Sequence, residues 1–483
     1  MRNELIGLSL AVLLGAAVAG CSDNTTTADI KYSYADPGKA VTFADFTPKT
    51  GSAATRLYIT GSNFGTDPEK IHVTVGGVPA TVIGSDGQRI YSVVQKRSYD
   101  GTVNVKVQDA KGDTIQNFTF DSLFQYKPRT VVGTLFRNVD EKGNAGFQEG
   151  DYSKASLASS DCLLFDPKYK EGSGEDRLLF SSNYYDGIYQ INLTQKNVKR
   201  LFDRSQYKCL QSFTFTADGD TMLLPDDNGH GSDYTAPNLY YALRSEGFRK
   251  VRPYSYAQCT YAVVSMKNGD KFYGSWEQAT IYRQGSSKGT IPFVDDPKSG
   301  QTKMFSLSQV TSIWNGHTRM IKHPDEKYVY LWVVQNGCIF RADYDAEHHL
   351  LKTPVLVCGS PDQSGFKEGV GGNARISNPW AGCFVLNPDY VKHPRPDGDK
   401  YDFVFTGCSS NDCIWKVTPD GVCKLMAGRS NPNSDGKTYG YVDGDPLKEA
   451  RFEQPKGITY DETDDMIYVG DYKSHAIRYI TTE

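Results

Sequence analysis

Apolar positions along this chain come in short runs that alternate with polar turns, and the last stretch, Ala450 to Ile480, shows the pattern most clearly. Gly457–Tyr460, Met466–Gly470 and Ala476–Ile480 are β-rich runs, divided by the acidic turn Asp461–Asp465 and by the turn Asp471–Ser474. The pattern predicts strand, turn, strand, turn, strand. One meander of this size cannot bury its own apolar residues, so further copies are expected.

They are present. In one unit that runs from Gly372 to Asp389 and, after an insertion, from Tyr401 to Gly428, the parts recur in the same order: Ala-Arg ahead of a Pro, a strand, a second strand, a polar turn, a third strand and an outer strand ending in Ala-Gly. Four weaker copies precede it. Their first, second and third strands are expected at Met320–His323, Tyr328–Val334 and Cys338–Asp343; Ala262–Met266, Lys271–Ser275 and Thr280–Arg283; Phe213–Thr216, Thr221–Leu224 and Leu239–Leu243; and Leu163–Asp166, Arg177–Ser181 and Gly187–Ile191. The spacing is roughly 60 residues, longer than the about 40–45 of a minimal propeller blade, with the excess in turns. The final unit stops at Glu483 without an outer strand. Thr130–Leu135, just ahead of the first unit, has the pattern to supply it, which would close the ring and remove an open sheet edge.

The last two units resemble NHL repeats. The final unit carries Ala450-Arg451-Phe452, Pro455, Gly457-Ile458, Asp461, Ile467-Tyr468-Val469, Asp471, His475 and Ile477-Arg478, with Ser474 where the repeat has Asn. The resemblance implies a six-bladed β-propeller over 128–483. A different β module fills 40–127. Pro48 with Gly51, Ile59-Thr60-Gly61 leading to Phe64-Gly65, and Val73-Thr74-Val75-Gly76-Gly77-Val78-Pro79-Ala80 resemble the IPT/TIG family of immunoglobulin-like sandwiches. Its glycines serve tight turns, and Phe64 is expected to cap a small core. The fold class is therefore all-β: an Ig-like sandwich followed by a propeller.

Composition supports this, with 31 Tyr, 23 Phe and 46 Gly. Charge is balanced, 53 basic against 57 acidic residues without a basic block, which speaks against nucleic acid. Residues 1–20 read as a leader: Arg2, an apolar run Leu5–Ala19, then Val18-Ala19-Gly20-Cys21, which resembles a bacterial lipobox. The resemblance implies lipidation of Cys21, with 21–39 as a polar tether, and anchoring without crossing the membrane. The cysteines after Cys21 are odd in number and sit mostly in apolar runs, so buried thiols are expected; Cys408 and Cys413 flank a turn and are the best-placed pair for a disulfide.

In a propeller, the starts of the inner strands and the turns between second and third strands converge on one mouth. The register places Asp161, Gln211, Tyr261, His317, Trp380 and Lys456 at the strand starts. The turns bring Tyr184, Tyr185, Asp226, Asp227, His230, Trp276, Asn336, Asn411 and Tyr472, and Trp314 precedes an inner strand. Trp332 and Trp415 fall in strand interiors and are assigned to the core. Aromatic rings beside Asp, Asn, Gln and Lys suit sugar binding, because a pyranose face stacks on a ring while its hydroxyls take planar hydrogen bonds. The same aromatics could instead pack loops together.

Catalysis has thinner support. The chain has eight His, no HExxH and no G-x-S-x-G. The turn Asp226–Asp233, holding His230, has Asx-turn or calcium-site character without EF-hand spacing; no other cofactor or metal is indicated. Lipobox, Ig-like spacer and propeller together resemble surface lipoproteins of gut Bacteroidetes. That resemblance implies a non-catalytic polysaccharide- or oligosaccharide-binding protein at the outer membrane, facing the cell surface beside a TonB-dependent transporter. A propeller lyase or glycoside hydrolase, and a protein-interaction scaffold, are the alternatives.

Overall fold

The structure, a computed structural model, describes residues 31–483 except 97, 99, 211, 228–235, 257–258, 285–300, 313, 362 and 432–434. Cys21 and His230 lie outside the described residues. The chain divides into two compact units between Lys127 and Pro128.

The first unit is a β-sandwich with strand order Thr42–Thr47, Arg56–Ser62, Arg89–Val93, Val78–Ser85, Ile71–Val75, Gly101–Gln108, Thr114–Tyr126 and Thr50–Gly51. Val78–Ser85 pairs through Val78–Ala80 with Ile71–Val75 and through Thr81–Ser85 with Arg89–Val93, so one strand serves both layers. Alternation along Gly101–Gln108 turns Val103, Val105 and Val107 inward, where they meet Leu57, Ile59, Val73 and Ile90. Phe64 is buried among them, and Gly65, Gly76 and Gly77 take the positive φ their turns require.

The second unit is a propeller of six antiparallel sheets. Its inner strands are Cys162–Phe165, Thr214–Phe215, Thr260–Ser265, Thr318–Lys322, Pro379–Leu386 and Pro455–Asp461. Second and third strands follow in chain order, and every predicted strand of the six units coincides with an observed one to within a few residues. The short helix Pro388–Lys392 occupies the insertion of the fifth blade. Closure is as expected: Thr130–Phe136 pairs antiparallel with Ala476–Thr482, in register Thr130↔Thr482 to Phe136↔Ile477.

The repeat signature in the last blade is structural. Arg478 and Asp471 are both fully buried and joined at 3.0 Å, and Arg478 also donates to Arg451 O at 2.8 Å. Asp471 accepts the Glu453 N–H at 2.8 Å. His475 Nδ1 lies 2.6 Å from Ala158 O; a carbonyl only accepts, so this nitrogen carries the proton and ties the last blade to the loop before the first. Gly457 is required by the same seam, since a Cβ there would come within 2.9 Å of Leu163 Cβ. Between the fourth and fifth blades lies an aromatic core of Tyr328, Tyr330, Trp332, Phe384, Phe403 and Trp415. The two tryptophans donate to Pro379 O and Asn411 Oδ1 and are core residues. All nine cysteines after Cys21 are free thiols, Cys408 and Cys413 included, and all but Cys162 are buried.

Candidate functional site

The loops entering the inner strands and the turns between second and third strands do converge, and they enclose a cavity of about 550 Å3. The first blade contributes Ser159, Asp161, Asn183, Tyr184, Tyr185 and Asp186; the fourth His317; the fifth Trp380; the sixth Lys456 and Tyr472. This volume is in the range of small-molecule sites.

Lys456 organises the floor. Its Nζ pairs with Asp161 Oδ1 at 2.6 Å and lies 4.2 Å from the Trp380 ring centre and 3.6 Å from that of Tyr472. A cation held between two rings gains from both quadrupoles and keeps the rings in place. Trp380 Nε1 donates to Asp161 O at 2.9 Å. The Asp161 carboxylate also accepts from Tyr184 N at 3.1 Å and Ser159 Oγ at 3.2 Å. Asp186 accepts from Arg200 Nη1 at 2.8 Å and from the Tyr189 hydroxyl. Both carboxylates of the cavity are thus engaged by the protein.

One wall continues into a second cluster. His317 stacks on Tyr261 at 4.8 Å and approaches Trp276 at 5.2 Å and Trp380 at 6.3 Å. Burial, with the charges of Arg319 and Lys456, holds its pKa down at about 4, so the imidazole is neutral at ordinary pH. Asp227 accepts from the Tyr261 hydroxyl at 2.9 Å, the Tyr184 hydroxyl at 3.2 Å and the Cys259 thiol at 2.6 Å. Burial raises the pKa of both tyrosines, keeping their hydroxyls protonated and donating.

Of the residues read from the sequence, Asp161, Tyr184, Tyr185, His317, Trp380, Lys456 and Tyr472 line the cavity. Asp227 and Trp276 stand behind it as supports. Asp226 does not belong to the mouth: it is fully buried and accepts the N–H groups of Lys208 and Cys209 at 2.8 and 2.6 Å, which fixes the entry to the second blade. Trp314 is 69% exposed and lies outside the cavity lining. Tyr185, 66% exposed, is the ring most open to a ligand. Asn183, Asp186 and Ser159 were not anticipated; they flank anticipated positions and carry no distinguishing pattern. Arg319 was also missed, although a charged residue inside the inner strand Thr318–Lys322 is a legible anomaly. Among the described residues no group of three His, Cys, Asp or Glu side chains could hold a metal ion.

Residues 42–126 match the IPT/TIG domain family. No curated protein matches the chain. Several solved structures do. An auxiliary nutrient binding protein from Bacteroides ovatus is similar at 26% identity and a TM-score of 0.73, over 93% of this chain and 100% of its own. One of the same description from Bacteroides thetaiotaomicron is similar at 28% identity and a TM-score of 0.65, over 93% and 99%. A candidate phosphatase from that organism shows 27% identity and a TM-score of 0.65, over 93% and 99%.

Proposed function

We propose that the propeller mouth binds a sugar-containing nutrient without transforming it. The observation that carries this reading is the pairing, in one 550 Å3 cavity, of the exposed Tyr185 ring with a floor of Lys456, Trp380 and Tyr472 that is already locked together. A pre-formed aromatic and polar surface lets a pyranose stack and hydrogen-bond with little ordering cost. Two of the similar Bacteroides proteins are described as nutrient binding proteins, which agrees with this role. The third is described as a candidate phosphatase. Catalysis fits the mouth less well, because Asp161 and Asp186 are held by a lysine, an arginine, hydroxyls and an N–H, and neither is free to serve as acid or base. We propose further that Cys21 is lipidated and that the chain sits at the outer membrane, passing a polysaccharide or oligosaccharide to a TonB-dependent transporter.

Retention on polysaccharide affinity gels tests the first proposal. Tyr185→Ala is expected to weaken retention about tenfold, equivalent to about 1.4 kcal/mol, while Trp314→Ala leaves it unchanged. Undiminished retention of the Tyr185 variant would remove the mouth from consideration. Release of sugar fragments or of phosphate by the wild-type chain would move the assignment to an enzyme, and co-purification of a transporter without glycan affinity would favour a scaffold.

A further inference from the structure

A second, smaller cavity of about 100 Å3 lies on the propeller axis. Every blade contributes an inner-strand residue to its wall: Leu163, Thr214, Val263, Arg319, Ala381 and Ile458. Asp161 and Trp380 line both this cavity and the mouth. Five of those six wall residues are apolar or small. Arg319 is the exception, a guanidinium only 5% exposed.

Its charge is incompletely matched. Nη1 donates to Tyr261 O at 3.0 Å, and the group lies 4.9 Å from the Trp380 ring centre. Nη2 is buried and has no hydrogen-bond partner. Asp161, the carboxylate whose charge acts on Arg319, is already paired with Lys456 at 2.6 Å. Lys322, also in the wall, is paired with Glu326 at 2.5 Å. The thiol of Cys162 beside Arg319 is pushed up to about 11 by burial and supplies no negative charge at ordinary pH. A buried guanidinium with one unpaired N–H edge and no free counter-charge is costly, unless something negative completes it.

We propose that this axial cavity is a binding site for a small anion, a halide or a carboxylate, held by the guanidinium of Arg319, which lines the chamber beside Trp380. The volume admits a halide or a carboxylate group and exceeds the need of a single water. The apolar wall removes competing solvent and strengthens the charge-assisted hydrogen bond. The anion could be free in solution or be the acidic group of a sugar seated in the mouth above, since Trp380 and Asp161 border both spaces. The site stands on its own geometry, whichever nutrient the mouth takes.

Bromide is the direct probe. Crystals of the full chain grown with bromide are expected to show an anomalous peak in the axial cavity beside the Arg319 guanidinium; density there that refines as water, with no anomalous signal, overturns the proposal. In solution, replacing a bulky sulfonate by bromide at fixed ionic strength should raise the Tm of the wild-type chain saturably. Arg319→Met should lose that saturable rise, and an equal response in both chains counts against the site. Should the variant fail to fold, the crystallographic readout on the wild type decides alone. Glucuronate and glucose then identify the source. Competition with bromide by glucuronate but not by glucose assigns the anion to an acidic sugar; no competition by either assigns it to free solute, and both results retain the site.

Discussion

At His317 the rings of Tyr261, Trp276 and Trp380 come together from neighbouring blades, with Arg319 two residues on and Lys456 across the cavity. The imidazole therefore has no reason to take up a proton in the folded chain until the pH approaches 4, whereas an unfolded histidine does so near 6.5. Between those values the unfolded state binds a proton that the folded state does not, so stability falls as pH falls across this window. His317→Gln should flatten the decline in Tm between pH 6.5 and pH 4.5; a decline as steep as that of the wild type would show that the ring is not buried neutral. The adjacent pair Asp226 and Asp227 shows what the residue scale hides from the sequence. Both were legible as turn carboxylates. One residue of register separates a fully buried Asp226, clamping backbone N–H groups, from an Asp227 that collects three side-chain donors behind the mouth.

At the scale of the element, the strand Thr130–Phe136 was predictable because the last unit ended one strand short. Its pairing with Ala476–Thr482 is reinforced beyond the ladder. Val132 exchanges backbone hydrogen bonds with Gly444 at 2.8 and 2.9 Å, and its side chain joins Ile458, Ile467, Val469 and Ile480 in the core of the last blade. Removing residues 128–136 should expose that apolar face and leave Ala476–Thr482 as an open edge. Limited proteolysis of the deletion variant is then expected to cut after Ala450 before it cuts any other blade. If the last blade stays as protected as its neighbours, closure by this strand does not hold the ring. The buried Arg478–Asp471 pair, with His475 reaching Ala158 O, explains why the repeat motif was the clearest signal in the chain. Arg478 and Asp471 satisfy each other seven residues apart inside a single blade, so local sequence carries much of that signal, and the His475 contact alone reaches across to the first blade.

For the whole molecule, the lipobox-like segment and the propeller mouth lie at opposite ends of one proposal. Among the described residues no helix is long and apolar enough to cross a membrane; the proposed anchor at Cys21 is tested separately. Cys21→Ala is expected to move the chain from the detergent-extractable membrane fraction to the soluble one, with its glycan retention intact; a variant that still sediments with membranes would discard the lipid anchor. The sequence by itself determined the all-β class, the IPT/TIG-like module, the six blades and the closing strand. Each of these depends on local alternation, on turn residues and on a repeat that must be completed. It also placed seven of the cavity's residues on one face, because strand order fixes which loops share a mouth. Only the tertiary structure decided that Lys456 is fixed between Trp380 and Tyr472, that Trp314 stands outside, and that Arg319 lies buried on the axis with an unpaired edge. Most of these depend on which blades face each other across the ring, as Lys456 of the sixth meets Trp380 of the fifth, and no periodicity along the chain encodes which side chain from one blade meets which from another.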